Sequence, residues 1–130
     1  MILLDTHVWW WSISEPEKLS KLVAEKIIRT KADQRAISAI SIWEFAMMVF
    51  RKKIELKITP EEWLSHAVGN TGIKIIEIGP KIALDACSLP GEFHKDPADR
   101  IIVATARVNN ITLVTKDDKI LDYKHVNSVW

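Results

Sequence analysis

Short apolar runs alternate with amphipathic stretches from one end of this chain to the other, and that alternation narrows its fold more than any other feature. Ile2-Leu3-Leu4 opens the chain, and a continuous apolar run this short reads as a strand covered on both faces. Arg35-Ala36-Ile37-Ser38-Ala39 reads as a second strand, Ile73 to Ile78 as a third and Ile111 to Thr115 as a fourth. Val126 to Trp130 is a short candidate fifth. Between them lie helical segments: Thr6 to Ser14, a stretch opened by Pro16, one from Ser41 through Phe50, and one begun by Thr59-Pro60-Glu61-Glu62. Two more run from about Lys81 to Ser88 and from Asp96-Pro97-Ala98-Asp99 to about Val108. Leu19, Leu22, Val23, Ile27 and Ile28 recur at helical spacing, with Lys21, Lys26 and Arg29 between them. Strand–helix alternation implies a parallel sheet covered by helices, an α/β three-layer α/β/α sandwich with four to five strands. At 130 residues the chain is expected to form one domain spanning 1–130.

Several classes are excluded early. A single cysteine, Cys87, permits neither an internal disulfide nor a cysteine metal cluster. The longest uncharged stretch, Trp63 to Ile73, is interrupted by Gly69, Asn70 and Gly72, far from the roughly 18 apolar residues of a membrane helix. Asp5 breaks the apolar start, which has no basic flank, so the N-terminus does not read as a signal peptide. A soluble, cytoplasmic protein is expected. Eighteen Lys and Arg against 17 Asp and Glu leave a net charge of +1, too little to hold nucleic acid by bulk charge.

In open parallel sheets, ligands bind beyond the carboxyl ends of the strands. Asp5 follows the first strand, Glu44 comes shortly after the second, Asp117 and Asp118 follow the fourth, and Asp96 and Asp99 begin the helix before it. One edge therefore gathers at least four carboxylates, which raise one another's pKa unless a cation joins them. All-oxygen donors suit Mg²⁺ or Mn²⁺. Each acid also has an ordinary structural explanation. Ser41-Ile42-Trp43-Glu44 has the form of a capping box, Asp96 that of a helix cap, and Asp117-Asp118 that of a turn. Asp5 is the hardest to explain so, because a carboxylate directly behind a buried strand is costly without a partner.

The motifs Leu3-Leu4-Asp5-Thr6-His7, Ile40-Ser41-Ile42-Trp43-Glu44, His94-Lys95-Asp96-Pro97-Ala98-Asp99-Arg100 with its apolar continuation, and Leu113-Val114-Thr115-Lys116-Asp117 follow one another in an order and spacing that resembles the PIN-domain ribonucleases. The likeness is to the VapC-like toxins of type II toxin–antitoxin pairs, and it covers essentially the whole chain. Ala98 stands where related sequences often carry a bulkier apolar residue. The resemblance implies a Mg²⁺- or Mn²⁺-dependent endoribonuclease that hydrolyses RNA through metal-activated water. It places the family's acidic quartet on Asp5, Glu44, Asp99 and Asp117. Asp5 and Asp99 take the direct metal contacts, and Asp96, Thr6 and Thr115 are supporting residues. It further implies an antitoxin partner and a homodimer.

Lys95, Arg100 and Lys116 flank the acidic motifs and are candidates to meet phosphate, as are Arg51, Lys52 and Lys53 if their segment faces the acidic edge. Lys57 belongs to the same basic cluster. His94 reads as a solvated loop residue. Six tryptophans include the run Trp9-Trp10-Trp11. Adjacent helical residues diverge by about 100°, so at least one of the three is expected on a surface that a partner helix covers. Trp43, Met47, Met48 and Phe50 read most simply as core, although aromatics and Met exposed there would suit a partner's amphipathic helix. Two other functions stay open: a phospho-acceptor receiver module, and a catalytically inactive PIN-fold binding module.

Overall fold

In a strand, successive side chains point to opposite faces of the sheet. In the computed structural model, which describes residues 1–130, β1 (Ile2–Leu4) sends Ile2 and Leu4 into one core and Leu3 into the other. β2 (Arg35–Ser38) divides Ile37 from Ala36 in the same way, and β4 (Thr112–Val114) divides Val114 from Leu113. β3 (Lys74–Ile76) and β5 (Ser128–Val129) complete a five-stranded, wholly parallel sheet in the order β3-β2-β1-β4-β5.

Helices cover both faces and complete the three-layer α/β/α sandwich. Over the first face lie α1 (Thr6–Ser14), α2 (Lys21–Arg29), α3 (Ala39–Phe50) and α4 (Pro60–Leu64). They contribute Val8, Trp9, Val23, Phe45 and Trp63 to that core. Over the second lie α5 (Pro80–Cys87), α6 (Pro97–Asn109) and α7 (Asp118–Leu121), with Ile82, Ile102, Val103 and Ile120 buried. Each such aliphatic side chain contributes roughly 1.5–3 kcal/mol by leaving water.

The sequence signals place most boundaries well and miss in instructive places. The Pro16 segment is not one helix: Pro16–Lys18 forms a 3₁₀ turn, and Ser20 caps α2 by accepting from the Val23 N–H at 3.1 Å. Thr59 caps α4 as its motif implies, accepting from Glu62 N–H at 3.1 Å. The helix after β2 begins at Ala39 with Ser38 as its cap, so Ser41 lies inside the helix and the capping-box reading of Ser41 and Glu44 fails. α7, four residues long and capped by Asp117, has too short a pattern to register in sequence.

This strand order sets where the site lies. The chain runs outward from β1 to β2 and β3, then crosses to β4 on the other side of β1. The carboxyl ends of β1 and β4 thus meet at the point where the strand order reverses, the crevice where open α/β sheets bind ligands.

Candidate active site

Leu4 pairs with Val114 in register, so the next residues, Asp5 and Thr115, face each other at that switch point. Asp5 N–H donates to Val114 O at 2.9 Å and carries the ladder one step past β1. Asp5 is only 9% exposed. Its Oδ1 accepts from the Thr6 N–H at 2.8 Å, capping α1, and its Oδ2 accepts from the Thr115 hydroxyl at 2.6 Å. Burial pushes the Asp5 carboxyl up from its ordinary range, and these two hydrogen bonds pull against that.

Thr6 links the first acid to the second. Its hydroxyl donates to Glu44 Oε1 at 2.6 Å and lies 2.9 Å from Ser41 Oγ. A hydroxyl carries one proton, so Ser41 is the donor in that second bond. α3 presents Ser41 and Glu44 on one side because residues three apart share a helix face. Burial raises the Glu44 carboxyl, Thr6 lowers it, and Asp5 and Asp96 raise it further.

Asp96 and Asp99 divide between two tasks. Asp96 is the exposed N-cap of α6, its Oδ1 accepting from the Asp99 N–H at 3.0 Å. Asp99, one turn in, faces the crevice. Its carboxyl is pushed up to about 7, first by burial and then by the charges of Asp5, Asp96, Asp117 and Glu44. Asp117 follows β4. Its N–H donates to Thr115 Oγ1 at 3.0 Å, and its Oδ1 accepts from Lys119 N–H at 2.9 Å, capping α7. Thr115 therefore ties Asp117 to Asp5 through a single hydroxyl.

Asp5, Glu44, Asp99 and Asp117 line one open cleft of about 510 Å³, together with His7, Trp11 and Lys116. No Lys or Arg forms an ion pair with any of the four. His94 is not a solvated loop residue: it is half-buried, with Nε2 3.0 Å from Asp99 Oδ2. The two atoms are close but not aligned as a hydrogen bond. Donor atoms of His94, Asp99 and Asp117 lie within 4.8 Å of one another.

The basic residues disperse. Lys116 is exposed on the cleft rim, and Lys95 is exposed on the loop before α6. Arg100 braces that loop, its guanidinium donating to the carbonyls of Ala86, Phe93 and His94 at 2.8, 3.0 and 3.3 Å. Arg51, Lys52 and Lys53 are exposed at the end of α3. Of the tryptophan run, Trp9 and Trp10 are buried, at 1% and 5% exposure, and Trp11 alone reaches the surface. Conversely, Trp43 and Phe50 on α3 are 56% and 78% exposed, whereas Met48 is core. His7 and Ser41 escaped the sequence reading as site residues. The signal that finds them is helical spacing, Ser41 three residues before Glu44 and His7 four before Trp11.

The PIN domain family model matches residues 2–126 of the chain. Ribonuclease VapC22 of Mycobacterium tuberculosis is 37% identical over 131 residues, covering 99% of this chain and 98% of that protein. This chain belongs to the PIN domain family. Its fold also matches solved structures at lower identity. A toxin–antitoxin complex from Klebsiella pneumoniae superposes with a TM-score of 0.69 at 24% identity, over 100% of this chain and 97% of that one. DNA-bound VapBC from Salmonella typhimurium gives 0.72 at 16% identity, over 98% and 96%. FitAcB from Neisseria gonorrhoeae gives 0.72 at 21%, over 100% and 97%.

Proposed function

We propose that residues 1–130 form a single nuclease domain, a divalent-metal-dependent endoribonuclease that serves as the toxin of a type II toxin–antitoxin pair in the cytoplasm. The observation that carries this reading is the convergence of Asp5, Glu44, Asp99 and Asp117 in one cleft with no Lys or Arg paired to any of them. Charges placed so raise the carboxyls of Asp5, Glu44 and Asp99, and the protein holds the acids in place through Thr6 and Thr115 instead of separating them. Their oxygens are hard donors of the kind Mg²⁺ and Mn²⁺ take, so the residues present fit such an ion. The identity to a ribonuclease along nearly the whole chain supports RNA as the substrate.

In this reading Asp5 and Asp99 hold the ion directly and Glu44 and Asp117 complete the site. The ion, when bound, would polarise the phosphodiester and lower the pKa of water enough to make hydroxide available as the nucleophile at neutral pH. The chain's own groups do the rest. Thr115 orients Asp5 and Asp117 together, Thr6 orients Glu44, and His94 steadies Asp99. Outer groups of this kind orient ligating carboxylates and tune the site. Asp96 supports Asp99 by starting its helix. Lys116 and Lys95 offset the phosphate charge, and Arg51, Lys52 and Lys53 offer a more distant hold on the backbone.

An antitoxin and a second copy of this chain remain the proposed protein partners. The likeness of the fold to a toxin–antitoxin complex from Klebsiella pneumoniae supports the first. With Trp9 and Trp10 buried, a partner face draws on the exposed Trp43 and Phe50 of α3. A receiver module is disfavoured by topology: such folds set the third strand beside the first, in the order 2-1-3-4-5, whereas β3 here is an edge. The intact carboxylate cleft disfavours an inactive binding module.

The test is cleavage of a mixed panel of single-stranded and hairpin RNAs by the purified protein. Mg²⁺ or Mn²⁺ is expected to support cleavage, and EDTA and Asp5→Asn each to abolish it. Cleavage surviving both would overturn the metal-dependent reading, and a wild type that cuts no RNA would point to the binding module.

A further inference from the structure

Trp11 belongs to two depressions at once. It lines the carboxylate cleft with His7 and Lys116, and it lines a neighbouring groove whose rim carries Lys18, Lys53 and Lys57. Two acids, Glu15 and Glu55, share that groove, but Glu15 is already engaged by the Trp10 Nε1–H at 2.9 Å and by Lys18 at 3.2 Å. Beside Trp11 stands Trp130, the ring centroids 6.0 Å apart and the planes at 61°. The Lys116 ammonium lies 5.8 Å from the centroid of each ring. Both indoles pack against the edge of the core yet stay half-buried, keeping part of their surface in solvent where Trp9 and Trp10 keep almost none.

We propose that Trp11 and Trp130 form a stacking platform for an unpaired RNA base next to the cut phosphodiester, with Lys116 holding the adjoining phosphate. This rests on the nuclease reading and names a subsite for its substrate. Aromatic faces beside cations along a groove are what sequence-tolerant binding of single strands uses, because every base has a π-face and every nucleotide a phosphate. A base laid on an indole takes over the contact that the Lys116 ammonium makes with it. The long side chain is then released toward phosphate. A duplex keeps its bases stacked on one another and offers none to the platform, so the subsite favours unpaired RNA.

The experiment measures binding of a labelled single-stranded RNA ten-mer in EDTA, which prevents cutting, and of the same strand with its central nucleotides abasic. Wild type is expected to prefer the base-bearing strand by roughly tenfold. Trp11→Ala and Trp130→Ala are each expected to erase that preference while leaving affinity for the abasic strand unchanged, and Trp11→Phe to keep most of it. Thermal unfolding and circular dichroism verify that the variants are folded. An alanine variant that is folded and keeps the full preference overturns the platform. So does one whose only change is in self-association, read by light scattering, because the indoles would then serve a protein contact. The nuclease reading fails separately, if wild type with Mn²⁺ cuts none of the RNAs; cutting that persists while the base preference is absent removes the platform alone.

Discussion

Thr115 and Asp99 show how much of this site is decided by single side chains. Thr115 donates one proton to Asp5 and accepts one from the Asp117 backbone, so two acids from opposite ends of the chain share one hinge. Asp99 has the opposite situation, with burial and four neighbouring carboxylates pushing its proton affinity up to about 7. A raised carboxyl binds its proton more tightly in the folded state than in the unfolded one. The contribution of Asp99 to the stability of the metal-free protein therefore falls as pH rises from about 4, where the unfolded group titrates, to about 7, where the folded group does. Asp99→Asn is expected to flatten that slope and to stabilise the metal-free protein at pH 7.5 by on the order of 1–2 kcal/mol, discounted because the carboxylate still touches solvent. Urea unfolding in EDTA at pH 5 and pH 7.5 measures it; equal pH slopes for both proteins would contradict the assignment.

At the scale of elements, the site is a set of helix starts. Asp5 caps α1, Asp96 caps α6 and Asp117 caps α7, each accepting from a backbone N–H in the first turn. Capping and metal binding compete for only some oxygens. Asp5 and Asp117 cap through Oδ1 and direct the other oxygen elsewhere, Asp5 to Thr115. Asp96 and Asp99 separate the two jobs, one residue capping and the next turn's acid facing the cleft. Asn caps a helix about as well as Asp. Asp96→Asn is accordingly expected to keep both stability and cleavage near wild type, while Asp96→Ala loses about 1 kcal/mol of stability. Asp99→Asn is expected to lose cleavage while gaining the stability at pH 7.5 given above. Chemical denaturation and RNA cleavage on the same three proteins distinguish them, and a cleavage loss in Asp96→Asn would move the metal contact to Asp96.

Across the whole molecule, the carboxylate cleft is a point of stored repulsion that a cation relieves. An ion that binds the folded chain and not the unfolded one stabilises it, by about 2.7 kcal/mol at a hundredfold excess over its Kd. Mn²⁺ is expected to raise the melting temperature of the wild type in a concentration-dependent way and to leave Asp5→Asn nearly unmoved. A differential scanning fluorimetry titration reads this, and an equal rise in both proteins would place the ion elsewhere. An aromatic cluster joins α1, α3 and α4, the first two of which carry Thr6 and Glu44. Phe45 stacks on Trp63 at 4.3 Å, and Trp9 and Trp10 close around the pair.

Local periodicity carried much of this protein in its sequence. The apolar runs of β1 and β4, the Thr59 and Asp96 caps, and the positions of Asp5, Glu44, Asp99 and Asp117 behind strands or at helix starts are all readable along the chain, because propensity, capping and pleat act over a few residues. Tertiary structure decided the remainder. Whether Glu44 reaches back to its own helix or across to Thr6, 38 residues away, depends on where α3 begins and what packs beside it. Which of three adjacent tryptophans stays at the surface depends on the direction in which α1 meets the sheet. The order β3-β2-β1-β4-β5 set Asp5 opposite Thr115, 110 residues apart, and that pairing is a long-range outcome of burying both faces of one sheet, to which no local pattern has access.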